Sequence, residues 1–144
     1  MLTQAHAIVA AATLVALVAS VMLHGMVVVR LMRCFRDKSL HQAAILVFMV
    51  LGLFLAHVVE IWLFGVLSWL LGNLEGGGTI TGQSLSGLPD YVYFSAVTYT
   101  TLGYGEVYPV GPMRFIFGTE ALIGFMLITW SASVTFLQMQ RFWR

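Results

Sequence analysis

The chain has 144 residues, of which 60% are hydrophobic, and seven Lys and Arg stand against six Asp and Glu for a formal net charge of +1. At a mean hydropathy of +0.92 a domain of this size cannot hide its apolar surface from water, so lipid is its solvent. The near-neutral balance argues against a nucleic-acid partner. The one cysteine, Cys34, excludes an intramolecular disulfide framework.

The first predicted element is an apolar helix from about Ala5 to Val29. Its start, MLTQAHA, lacks a basic n-region, and the run continues past signal-peptide length into VVVRLMR, so a retained helix is predicted. A basic link follows, with Arg30, Arg33, Arg36 and Lys38. Three of these arginines recur at every third residue, as in voltage-sensing helices, yet they follow the apolar run instead of threading it. Anchoring at a membrane surface accounts for them. The second apolar segment runs from about Ala43 to Leu71 and the third from about Met113 to Met139. All three exceed the roughly 20 residues that a helix needs to cross the hydrocarbon core. Six of the seven basic residues, the four in the link plus Arg141 and Arg144, fall on one side of this topology. The expectation is an N-terminus outside and a C-terminus inside.

Between the second and third segments, residues 72–88 (GNLEGGGTITGQSLSGL) read as an exposed loop. Pro89 and Asp90 then open a helix through YVYFSAVTYT, too short to span. The strip that follows, TLGYGE at 101–106, is irregular and leads to Pro109. A short helix followed by irregular backbone between two spanning segments predicts a re-entrant loop. Such backbone is tolerated at membrane depth only when it is buried in protein or lines a wet cavity, so the strip is predicted to line something wet.

The strip's chemistry suits a cation. Stripping water from an ion costs many kcal/mol unless oxygens replace its shell. Successive backbone carbonyls do so if they point one way, which requires residues that alternate into left-handed backbone regions, where glycine alone is free of steric cost. Gly103 and Gly105 are spaced for this, and the Thr101 hydroxyl can add an oxygen at the inner end.

Thr101-Leu102-Gly103-Tyr104-Gly105 resembles the TVGYG selectivity filter of the potassium-channel pore-loop family. The resemblance covers about residues 43–140: an outer helix, a turret at 72–88, a pore helix at 90–100, TLGYGE followed by VYP, and an inner helix with Gly124 near its middle. It implies an all-α membrane protein with three spanning helices and a re-entrant pore helix and filter between the second and third. Residues 43–144 would be the pore domain, and residues 1–42 an extra helix with its cytoplasmic link. It further implies K+ ions held by the carbonyls of Thr101, Leu102, Gly103 and Tyr104 and the Thr101 hydroxyl, with Gly105 completing the filter. One chain carries one strip, so a C4 homotetramer in a lipid membrane is implied.

Several positions depart from the family pattern. Leu102 stands for the usual valine, its side chain expected behind the filter, and Glu106 for the common aspartate. Tyr93 and Phe94 replace two tryptophans, and Val97 a glutamate behind the filter. Filter support is expected from Tyr93, through a hydrogen bond to Glu106, and from Thr100. On the inner helix the family register turns Phe125, Ile128, Ala132 and Phe136 toward the pore, with side-chain packing as the plainer alternative, and makes Gly124 either a hinge or a point of close helix packing.

Other polar residues are read individually. Glu120, inside the third segment, is expected to face the pore helix and bond Thr98 or Thr100, with modulation of conduction as a second reading. His57 and Glu60 share a helix face. They read as a buried pair, or as contacts of the first segment, where His24 lies, in preference to a metal site. His6 and His41 read as interface or solvent residues. Trp62, Trp69, Trp130 and Trp143 fit lipid contact or interfacial belts.

The combined expectation is a potassium-selective channel that conducts passively, is not an enzyme, and has no organic cofactor. A compact chain with one pore loop suits a prokaryotic plasma membrane. Two rivals stay open: a less selective cation channel, and a non-conducting subunit that assembles with another channel or enzyme. The sequence does not choose among pH, lipid, a partner protein or the filter itself as the gating stimulus.

Overall fold

A computed structural model describes residues 4–35, 41–82 and 87–142. Arg36, Lys38, Trp143 and Arg144, which carry part of the charge argument and one interfacial anchor, lie outside the described residues.

The order is α1 (Gln4–Phe35), α2 (Gln42–Gly72), β1 (Thr79–Gly82), α3 (Leu88–Tyr99), β2 (Val107–Val110) and α4 (Met113–Phe142). Helices α1, α2 and α4 are long and apolar enough to cross a membrane, and the chain is an integral membrane protein. At about 1.5 Å per residue, the 32 residues of α1 outreach a hydrocarbon core of about 30 Å. The helix therefore carries Arg30 and Arg33, both exposed, as its final turns.

Each long helix buries one stripe. On α1 it is Val9, Thr13, Ala16, Ser20, His24 and Val28, and on α2 it includes Ile45, Met49, Leu53, Ala56, Glu60 and Phe64. Steps of three and four residues keep a stripe on one helical face. Helix α1 packs against both α2 and α4 of its own chain, so its buried stripe is part of the protomer's core. Two apolar clusters result. The larger gathers Val9, Phe64, Phe94, Met113, Phe117 and Ile123, and the smaller Val28, Ile45, Met49, Leu53 and Val134. Between them, along each stripe, come the polar residues His24, Glu60 and Ser131.

The loop predicted at 72–88 needs correction. Its Thr79–Gly82 segment is a strand, paired antiparallel with β2 in the register Thr79↔Val110 to Gly82↔Val107. Ile80 is buried in the larger apolar cluster. A β-branched run, Thr79-Ile80-Thr81, sits inside a glycine- and serine-rich segment whose composition masks it. The ladder ties the segment ahead of α3 to the chain leaving the strip, so the strip is clamped at its far end.

Helix α3 opens where Pro89 and Asp90 predict. The Asp90 carboxylate accepts the Gly87 N–H at 3.1 Å, and Pro89 occupies an early position where a missing N–H costs nothing.

Candidate functional site

The strip begins in the C-terminal cap of α3. Helix α3 ends with Thr100 as its cap, the Leu102 N–H bonds the Val97 carbonyl at 3.0 Å, and the Thr101 N–H bonds the Thr98 carbonyl at 2.9 Å. This is the Schellman pattern, which puts the residue after the cap into the left-handed region, usually as glycine. Here that residue is Thr101, at φ +58°. Gly103 follows at φ +56° and Gly105 at φ +82°, and Thr101 is the only non-glycine at positive φ among the described residues. Left-handed backbone thus alternates over five residues, at Thr101, Gly103 and Gly105, with Leu102 and Tyr104 between. Such alternation turns successive carbonyls toward one side, where an ordinary strand opposes them. A Cβ at Gly103 or Gly105 would meet nothing within 4 Å, so backbone conformation alone, not crowding within the chain, demands glycine there.

The side chains of the strip find little cover in their own chain. Leu102 is 55% exposed and Tyr104 65%. The strip and the face of α3 together line an open cavity of about 380 Å³ that reaches Tyr93, Val97 and Thr98. At one end of it Tyr93 donates to Glu106 at 2.5 Å, the contact expected from the sequence. That bond holds the Tyr93 hydroxyl above its usual phenol range. The Thr100 hydroxyl turns back to the Ala96 carbonyl at 2.8 Å, at the helix end from which the strip leaves.

On α4, Phe125, Ile128, Ala132 and Phe136 all lie exposed on the single chain. They do not pack within it. Gly124 beside them is buried, and a Cβ there would come within 2.3 Å of the Tyr99 carbonyl oxygen. Close approach of α3 and α4 therefore explains this glycine.

Glu120 faces α3, as expected, but not the expected partner. It accepts from Ser95, because α4 crosses α3 one turn before Thr98. The Ser95 oxygen also lies 2.7 Å from the Ile61 carbonyl, so one serine joins α2, α3 and α4. Glu120 is fully buried, and its Oε2 has no partner among the described residues.

The His57–Glu60 pair expands into a cluster that draws on all four helices. His24 Nδ1 lies 3.0 Å from Glu60 Oε1, and His57 Nδ1 lies 3.2 Å from Glu60 Oε2 and 2.8 Å from the Tyr99 hydroxyl. Tyr99 donates to Glu60. The Ser131 oxygen lies 3.0 Å from His57 Nε2 and 3.2 Å from His24 Nε2. His24, Glu60 and Tyr99 are fully buried, and Trp130 leans on the His24 ring at 5.3 Å. Tyr99 and Ser131 escape sequence reasoning, since each looks like one more residue on an apolar helix. The signal that could have found them was the pair of polar positions already flagged on α1 and α2, which needed partners at membrane depth.

Irregular backbone held between a short helix and a strand ladder, within three long apolar helices, is the layout of an ion pathway. The profile of the ion-channel family matches residues 43–141, and the chain belongs to that family: it is a channel protein and not an enzyme. Among curated proteins it is similar to Protein LctB of Geobacillus stearothermophilus, 46% identical over 46 residues, which cover 32% of this chain and 34% of that protein. It is also similar to Protein LctB of Bacillus caldotenax, 44% identical over 43 residues, or 30% of this chain and 32% of that one. The chain thus spans about a third of the length of these relatives. No solved structure matches it.

Proposed function

We propose that four copies of this chain form a C4 channel that conducts K+ selectively and passively, with residues 101–105 of each copy as one quarter of the filter. The observation that carries this reading is the alternation of left-handed backbone at Thr101, Gly103 and Gly105. Four such strips around an axis would offer stacked rings of carbonyls from Thr101, Leu102, Gly103 and Tyr104, with the Thr101 hydroxyls below. These oxygens replace the ion's hydration shell. One strip alone surrounds no ion.

The exposed groups support four-fold assembly. Leu102, Tyr104, Phe125 and Phe136 are each more than half exposed, and in a tetramer the filter side chains and part of the α4 face have neighbours to meet. Ile128 and Ala132 share the exposed side of α4 and would line the inner cavity with Phe136. Arg30, Arg33 and Arg141 face the inner solution, with the N-terminus outside, and the membrane is a plasma membrane of prokaryotic type.

Two measurements test the reading together. Native mass spectrometry of the detergent-purified chain is expected to show a particle of four 15.9 kDa chains. Liposomes containing it are expected to release K+ and retain Na+. A monomer, or equal release of both ions, contradicts the proposal.

A further inference from the structure

We propose that His24, His57 and Glu60 form a binding site for a zinc-class divalent cation, with the Tyr99 hydroxyl as a fourth ligand. The donor atoms of His24, His57 and Glu60 all lie within 4.8 Å of one another. Their closest separations are 3.0 Å for His24 Nδ1 to Glu60 Oε1 and 3.2 Å for His57 Nδ1 to Glu60 Oε2, with Tyr99 at 2.8 Å from His57 Nδ1. Ligands about 2.0–2.1 Å from a tetrahedral zinc stand about 3.3 Å apart, so small adjustments would admit an ion. Two imidazoles and a carboxylate are donors that suit Zn2+ and not Ca2+ or Mg2+.

The far sides of the rings are arranged to match. Both Nε2 atoms converge on the Ser131 oxygen. A serine oxygen can accept two N–H bonds. When it does, both rings carry their proton on Nε2 and direct Nδ1 lone pairs at the carboxylate, which has none to donate. A cation between the three groups satisfies all of them. Metal-ligating histidines commonly anchor their other ring nitrogen in this way. Charge agrees: with both rings neutral, the contacts of Glu60 at 3.0 and 3.2 Å are to uncharged imidazoles, and a cation would balance its carboxylate. In addition, α3 ends at Tyr99, which brings the negative end of its dipole to the cluster. The ion would join α1 and α2 to the last residue of the pore helix, two residues before the strip.

The test uses the full chain purified in detergent, without any need for conduction, so it stands apart from the potassium reading. Elemental analysis after exposure to Zn2+ and removal of excess is expected to give about one ion per chain. His24→Ala and Glu60→Gln are expected to lose it. Because these variants also remove buried hydrogen bonds of the fold, the intact protein is titrated with Co2+ alone, where the visible absorption of a four-coordinate site is expected and Zn2+ should displace it. A protein that retains no Zn2+ and shows no such band with Co2+ would overturn the proposal and leave the cluster a hydrogen-bond network only.

Discussion

The strip at 101–106 and the cluster around Glu60 meet at Tyr99, two residues before the strip, yet they are finished to different degrees. In the cluster, Tyr99, His24, His57 and Ser131 all find partners inside one chain. In the strip, Leu102 and Tyr104 are mostly exposed, and the two glycines have open space beside them. A buried polar group without a partner costs about 1–3 kcal/mol, and the cluster avoids that cost within one protomer. Exposed carbonyls and a bare tyrosine can wait for the other copies of the proposed assembly. The contrast separates what holds the protomer together from what the proposed assembly completes.

The largest expected effect falls on the strip. Gly103→Ala forces a Cβ into a left-handed position, at a cost of about 1–2 kcal/mol per chain, and K+ conduction is expected to vanish. The melting temperature of the protomer should fall by no more than this backbone strain implies, because no atom lies within 4 Å of the added methyl. Parallel flux and unfolding measurements check this. A variant that unfolds but still conducts would break the comparison from the strip's side.

Next comes the seam between the two regions. In Gly124→Ala the new Cβ would meet the Tyr99 carbonyl at 2.3 Å, so α3 and α4 must separate. Overpacking of this kind costs about 1–3 kcal/mol. Both stability and open probability are expected to fall, since Tyr99 leads directly into the strip. Unchanged open probability and stability would mean that the close approach carries no strain to the pore.

Tyr99→Phe sharpens the comparison from the cluster's side. It removes the donor to Glu60 and the contact to His57 and is expected to lower stability by about 1–3 kcal/mol. Unfolding in a mixed micelle would measure this. A loss near zero would mean that the cluster is not what holds the end of α3. The smallest effect is expected for Leu102→Val. A side chain 55% exposed on the protomer has few contacts of its own to lose, so protomer stability should change by less than about 0.5 kcal/mol.

Much of the architecture can be read from the residues, for physical reasons. Long apolar runs reveal the three helices because a bilayer imposes length, and Pro89 with Asp90 marks the start of α3. The short strand at Thr79–Gly82 is hidden because four residues carry too little pattern against a background of glycine and serine. At the strip, Gly103 and Gly105 disclose their backbone by type. Thr101 does not, since its left-handed angle is imposed by the cap of α3 and not by its own preference. Tyr93 and Glu106 are legible as a pair because both lie outside the helices' packed faces. Glu120 shows the limit of the helical wheel: it gives the facing helix but not the turn at which the two cross, so Ser95 and not Thr98 is the partner. The same limit hid Tyr99 and Ser131, whose roles depend on where α1 settles.

The reversal potential of the purified protein in planar bilayers, under opposed K+ and Na+ gradients, tests the central claim most directly. The account predicts a reversal near the potassium equilibrium potential, abolished with the current in Gly103→Ala. A reversal near zero, with substantial Na+ current, would contradict it and show that the strip, however its backbone alternates, does not select K+.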